Sequence, residues 1–496
     1  MAPKIAGRAS RAVQNGGKET MENHNDSHVH ASIDDRAREE LLNRSPGKLI
    51  AKYASPAVAS MLFMAFYQIT DGIMVGRSLG PEAMASVNIL YPIVALLSGI
   101  AVMIGVGGNA RIAVLLGAGK TRDASRVLGL IVTLGVGLGL IGSFAAVAFR
   151  PQILALLGTS GELGVYAGGY LAGILPFFTF MILTFILEQS VRNDGRPNFA
   201  GIVMASCALL NIGLDYLFLF VWGFGIEGAA MASGISQTVG AMIFLSHFIG
   251  KTVNRRGGLR FARPDGRIAT IRTVGVNGAS ELFNSLSMGV TTFLFNRMIL
   301  AYVGSLGVAA MTVVQYPVML CVMIVMGLGS GVQPILSYNH GAGLSLRVRG
   351  TVRRTAGVAT LFGLLVFLAM FFGAETVAAA FVPDHPDAIA LTREVARIVS
   401  WSVLFMPFAM VASVYFTALE QAAKSLIIAV TRGLVLPVLG LVVFPLFWGA
   451  FGIWITAVFT EAAAMLVAVA CIAWRRRKVR ATPANTTGEK ESVLVA

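Results

Sequence analysis

Acid is scarce in this chain. Only 25 Asp and Glu stand against 39 Lys and Arg, and charged residues of either sign fill 13% of 496 positions while hydrophobic ones fill 56%. A soluble domain carries roughly twice that share of charge. Soluble and disordered classes are therefore excluded, and a polytopic membrane protein remains. Cysteine is nearly absent. Cys207, Cys321 and Cys471 each sit in an apolar stretch without CxxC spacing, which argues against a zinc site or a disulfide framework and reads as small packing residues. No HExxH, nucleophile elbow or His/Asp-rich catalytic loop occurs, which speaks against an intramembrane enzyme. The lack of a P-loop removes ATP as an energy source. The formal net charge is +14, yet no single basic patch forms, so nucleic acid is not an expected partner.

What is present is a series of apolar stretches near the ~20 residues needed to cross ~30 Å of hydrocarbon. Breaking the chain at Gly, Pro and charge clusters gives twelve: 53–75, 83–106, 127–149, 163–187, 198–220, 228–249, 275–302, 307–332, 355–381, 396–418, 426–446 and 451–474. The expected class is an all-α membrane protein with twelve transmembrane helices. Basic residues recur on alternate loops: Lys120, Arg122 and Arg126; Arg192 and Arg196; Lys251 to Arg272; Arg347 to Arg354; and the tail from Arg475 to Lys478. By the positive-inside rule that face is cytoplasmic. The opposite loops have mixed sign, with Arg77 and Glu82, Arg150 and Glu162, and Asp384, Asp387, Arg393 and Glu394. An even number of spans puts both termini inside. Residues 1–47 are polar and lack an apolar run, so they are expected to be a disordered tail and not a signal peptide. His24, His28 and His30 are too loosely spaced there for a metal site.

The second half of the chain echoes the first. GVGGNARIAVLLGAG at 105–119 matches GSGVQPILSYNHGAG at 329–343 at an offset of 224, and Tyr91-Pro92 matches Tyr316-Pro317. Glu188-Gln189 similarly echoes Glu420-Gln421, and Phe224-Gly225-Ile226 echoes Phe451-Gly452-Ile453. Because six is even, both halves enter from the same side, which gives pseudo-two-fold symmetry along the membrane normal, an arrangement that supports alternating access. The domain plan is a cytoplasmic tail at 1–47, a six-helix lobe at 48–250, a cytoplasmic linker at 251–273, a second lobe at 274–475 and a cytoplasmic tail at 476–496.

Within the segment 206–237, Asn211 and Asp215 lie four residues apart in an almost wholly apolar run. On a helix they project from one face, one turn apart. An ionisable group in hydrocarbon costs at least ~2.5–3.5 kcal/mol, which marks it as a functional candidate. The two residues can share a ligand, or they can hold neighbouring helices together by hydrogen bonds. Asp71 follows Tyr67 by four residues, so acid and phenol also share a face; alternatively the carboxylate snorkels to the surface near Arg77.

The run from Asp71 to Gly76, the pattern LG...A.A.VN..YP at 79–92, LLGAG at 115–119 and NIGLDYLF...GFGIEGAAMAS at 211–233 together resemble the MATE (multidrug and toxic compound extrusion) family of cation-coupled antiporters. The resemblance covers roughly 48–475, and Arg192 to Pro197 is similar to a short loop of its bacterial branch. It implies a secondary transporter of the bacterial cytoplasmic membrane that exports small amphipathic, often cationic molecules. No cofactor is implied beyond a coupling ion, H⁺ or Na⁺, and the expected state is a monomer among membrane lipids. Carried over residue by residue, it makes Tyr67, Asp71, Asn211, Asp215 and Ser233 the coupling-ion site. Clustered carboxylates compete for a proton, and Asn, Tyr and Ser oxygens can complete a shell for a hard cation. Glu281 faces a substrate cavity or pairs with Arg272; Glu461 faces that cavity or pairs with Arg432. Glu188 and Glu420, near Arg192 and Lys424, are expected at a gate or interface. A lipid-linked oligosaccharide flippase of the same superfold would need several cations in its central cavity, and only Arg297 and Arg432 lie inside spans away from their ends.

The orientation is directly testable. A cysteine at position 260 should resist labelling from outside intact cells, and one at position 385 should react; the reverse pattern would overturn the topology.

Overall fold

The computed structural model describes residues 40–79, 81–156, 161–254, 258–381 and 386–481. His24, His28, His30 and most of both tails lie outside the described residues. Helix is the regular structure found among them. The first half runs α1 (Pro46–Leu79), α2 (Pro81–Gly117), α3 (Thr121–Ala148), a short α4 (Arg150–Leu156), α5 (Gly161–Ile174), α6 (Phe178–Asn193), α7 (Pro197–Tyr216) and α8 (Gly225–Val253). The second runs α9 (Ile268–Tyr302), α10 (Ser305–Gly341), α11 (Ser345–Phe381), α12 (Pro386–Ala418), α13 (Ala422–Val430), α14 (Leu436–Trp448) and α15 (Ala450–Ala481). α5 and α6 form one span interrupted by a 3₁₀ turn at Leu175–Phe177, where Pro176 supplies no backbone donor. A π-turn at Thr431–Val435 similarly joins α13 to α14 in one span.

Among the described residues, eleven helical segments are long and apolar enough to cross a membrane. α9 completes twelve with 35 residues, although Asn277, Glu281, Asn284, Asn296 and Arg297 dilute its apolar run. The protein is thus an all-α integral membrane protein of two six-helix halves. Their equivalence is visible in the helix bounds: α2 and α10 both contain 37 residues and are displaced by the same 224 positions as the sequence repeat.

The helices outrun the apolar stretches because α-helix continues through the membrane interface. The difference is largest at the start. Residues 40–47, assigned from sequence to a disordered tail, pack against the protein: Leu41 is buried, and its carbonyl accepts from Asn339 Nδ2 at 3.2 Å. Arg347 Nη2 donates to the Arg44 carbonyl at 2.6 Å, and Glu40 pairs with Lys52 at 2.6 Å. One leucine with two accepting carbonyls suffices to order a segment that composition marks as polar. The linker is also shorter than expected, since α8 extends to Val253 and α9 begins at Ile268.

The two halves meet through α1 against α10 and α2 against α9. Small residues let these backbones approach closely, the usual solution where lipid offers no hydrophobic drive. A Cβ on Gly278 would lie 2.0 Å from the Met103 carbonyl oxygen, one on Gly107 2.1 Å from that of Val274, and one on Gly331 2.5 Å from that of Tyr53. At the basic end, a Cβ on Gly117 would lie 2.1 Å from the Tyr338 carbonyl oxygen and one on Gly341 2.0 Å from that of Val114. These contacts form a seam from the basic face to mid-span. Further out, Phe66 and Ile73 of α1 and Met288 and Phe293 of α9 are exposed.

Gly278→Ala should therefore destabilise the protein by about 1–3 kcal/mol through overpacking against backbone. Gly357→Ala, where nothing lies within 4 Å, should be neutral or stabilising by about 0.5–1 kcal/mol. Thermal unfolding of purified protein checks both, and equal stability of the two variants would refute the seam.

Candidate functional site

α7 ends in a π-turn at Leu217–Val221, just after the turn that carries Asn211 and Asp215. Both side chains are sealed, at 2% and 0% exposure. With its amide oriented to satisfy both neighbours, Asn211 Nδ2 donates to Asp215 Oδ2 at 3.1 Å, and its oxygen accepts from Ser233 Oγ and Ser233 N at 3.2 Å each. The i, i+4 spacing thus becomes a polar link between α7 and α8. Asp71 and Tyr67 on α1 are half-buried. Tyr67 is an electrostatic neighbour of both Asp71 and Asp215, and Asp71 acts directly on Asp215. All five residues expected from the resemblance therefore gather between α1, α7 and α8.

Hydrogen bonding leaves part of this cluster unused. Asp71 Oδ1 and Asp215 Oδ1 are buried and have no partner among the described residues. Two orphaned carboxylate oxygens in an apolar interior suit a proton or a hard monovalent cation, with Asn211, Ser233 and Tyr67 oxygens at hand. Sequence reasoning missed one member. Tyr170 on α5 is an electrostatic neighbour of Asp71, Tyr67 and Asp215, brought there because Gly169 and Gly173 let α5 press on Ile226 and Glu227 of α8. A lone tyrosine in a span carries no spacing signal, so only the packing reveals it.

The two glutamates expected at a gate behave differently. Glu188 pairs with Arg192 of its own helix, and both are sealed, the arginine completely. The expected nearness of Glu188 to Arg192 is thus an ion pair within one helix. Arg192, however, is no loop residue, because α6 continues to Asn193 and folds the arginine back one turn. Beyond it, Asp194 bridges His247 Nε2 at 2.9 Å and Lys251 Nζ at 2.7 Å. Glu420, held at a positive φ of 56°, does cross between halves, but its partner is Arg111 at 2.9 Å and not Lys424. Lys424 donates to Gln421 Oε1 at 2.8 Å and lies over the Phe416 and Trp474 rings.

In the second half, Glu281 is hydrogen-bonded to Asn284. No ion pair joins it to Arg272 among the described residues, since nine residues on one helix separate them by about 13 Å. Glu461 of α15 accepts from Arg432 Nε through both oxygens, at 3.0 and 2.8 Å, which realises the ion-pair alternative. The three cysteines are free and buried.

Similarity to known proteins agrees with this geometry. The MatE family model matches twice, over residues 56–217 and 282–443, one match in each half. Multidrug export protein MepA of Staphylococcus aureus strain MSSA476 is 26% identical over 398 residues, covering 79% of this chain and 86% of that protein. MepA of Staphylococcus haemolyticus strain JCSC1435 shows the same identity and coverage. Among solved structures, an outward-facing multidrug resistance MATE transporter of the MOP superfamily superposes with a TM-score of 0.82 at 24% identity, over 89% of this chain and 98% of that one. A MOP superfamily transporter from Pyrococcus furiosus gives 0.81 at the same identity and coverage. With the family pattern matched in both halves and most of the chain spanned, this protein belongs to the MatE family.

Proposed function

We propose that the protein is a secondary active antiporter of the bacterial cytoplasmic membrane, exporting amphipathic, often cationic compounds in exchange for H⁺ or Na⁺. Both termini and the linker face the cytoplasm, and the transporter works as a monomer surrounded by lipid. The observation that carries this reading is the pair of unpartnered oxygens on Asp71 and Asp215, a cost inside a membrane unless an ion visits. The multidrug export named for the MepA relatives supports the cargo class.

The residues have separable tasks. Asp71 and Asp215 hold the ion; Asn211 fixes the Asp215 carboxylate and ties it to α8 through Ser233; Tyr67 and Tyr170 wall the site. Arg111 and Glu420 link the halves at the basic end, where the glycine seam brings the two backbones together. Opening the seam would expose the basic side in turn. A catalytic role is not needed for any of these groups. The flippase alternative is disfavoured because Arg297 and Arg432 are the guanidiniums well inside the spans, and Glu461 offsets the charge of the second; that leaves too little positive charge for a pyrophosphate cradle.

Asp71→Asn and Asp215→Asn should each abolish gradient-driven dye efflux from vesicles while substrate still binds, and Asn211→Ala should weaken efflux less. The double aspartate variant should be no worse than the worse single one, because residues acting as a unit are non-additive. Imposing pH and Na⁺ gradients separately identifies the coupling ion. Full gradient-driven transport by either single variant would defeat the shared site.

A further inference from the structure

The Arg432–Glu461 pair repeats, in the second half, a placement already seen in the first: a charged group on the helix interrupted by a π-turn, facing a polar group on the last helix of the lobe. Arg432 lies within the Thr431–Val435 π-turn, and Asp215 sits just before the Leu217–Val221 one. π-turns of this kind frequently mark functional sites.

Arg432 is ten residues into its span and Glu461 eleven residues into α15, each about 15 Å from a helix end. The pair is therefore at mid-membrane. Its surroundings place it inside the lobe. Thr291 of α9 donates to the Gly433 carbonyl at 2.6 Å, a Cβ on Gly433 would lie 2.7 Å from Ser287 Cβ, and Glu461 is an electrostatic neighbour of the buried Cys321 on α10.

The hydrogen bonding is one-sided. Arg432 meets Glu461 only through Nε. Its Nη1 and Nη2 groups have no partner among the described residues and are not sealed, and the side chain is 18% exposed. Four N–H donors at mid-membrane are costly against lipid, so this edge of the guanidinium calls for a polar partner that the described residues do not supply. A guanidinium edge with both Nη groups free is the geometry that takes a carboxylate bidentately. Glu281 stands six residues before Ser287 on the same α9, about 9 Å along the helix, and supplies the opposite charge.

We propose that Arg432, positioned by Glu461, is a binding residue for the carboxylate of amphipathic zwitterionic substrates, whose cationic end faces Glu281. Glu461 is its positioning residue: it fixes the Nε edge and so aims the Nη edge. This assignment rests on the exporter reading and adds a substrate class to it.

The test uses two dyes that differ at one group, a rhodamine with a free carboxylate and the methyl ester of the same rhodamine. Binding of each to purified protein in lipid nanodiscs is followed by fluorescence polarisation, with vesicle efflux alongside. Arg432→Met should weaken binding of the carboxylate dye by about tenfold or more and leave the ester within about twofold. Arg432→Lys should recover only part of the loss, since an ammonium lacks the planar fork. Because Arg432→Met strands a buried carboxylate, the double variant Arg432→Met, Glu461→Gln is measured too; it should show the same selective loss, and its retained ester binding reports an intact fold. Equal loss for both dyes in the double variant, or no loss for the carboxylate dye, would overturn the assignment. If the wild type bound both dyes but exported neither under any gradient, the exporter reading would fail while the binding comparison still decided the role of Arg432.

Discussion

A polar group left unsatisfied in hydrocarbon costs several kcal/mol, and the internal organisation of this protein follows from that cost. Glu188 is matched by Arg192, Asp194 by His247 and Lys251, and Glu461 by Arg432. Asn109 is satisfied by a small network, accepting from Ser190 Oγ at 2.9 Å and donating to the Ile186 carbonyl at 3.1 Å. Against that background the exceptions carry information. Arg192 Nε and Nη1, the oxygens left over on Asp71 and Asp215 and the bare edge of Arg432 are among the places where the chain tolerates a deficit, and the last three groups lie in the interior of a lobe.

The pairs also divide into two kinds. Glu188–Arg192 lies within one helix and is withdrawn from water, so relative movement of the halves does not touch it. Arg111–Glu420 spans the halves and is partly exposed, and such a pair contributes little net stability because water competes for both ends. Among the described ion pairs, the one that must break when the halves part is therefore the weak one. The bonds that hold each lobe rigid are the protected ones.

Much of this was legible in the sequence. Twelve apolar stretches, the offset of 224 and the i, i+4 pair at Asn211 and Asp215 led to the helices, the repeat and the core of the site, because periodicity and the scarcity of intramembrane charge are strong local signals. What escaped depended on partners far away in the chain. Glu420 chose Arg111 over Lys424, 309 residues distant against four; Tyr170 joined the carboxylates only through helix packing; and Leu41 was ordered by Asn339 and Arg347. In each case sequence proximity suggested one partner and tertiary approach supplied another. Arg192 shows the converse, a basic residue counted as a loop signal that its own helix had already neutralised.

The glycine seam has one more consequence. Its contacts are backbone against backbone, with no long side chain between that could stretch or re-pack as the gap widens. Dispersion between such surfaces is largely lost within about an ångström of separation, so a partly opened seam would keep little of the attraction and admit no water to replace it. Intermediate separations are the least favourable ones. The two halves consequently behave as a bistable pair, either fully in register or fully released, and an ion or substrate bound elsewhere need supply only the small free energy that decides between two discrete arrangements.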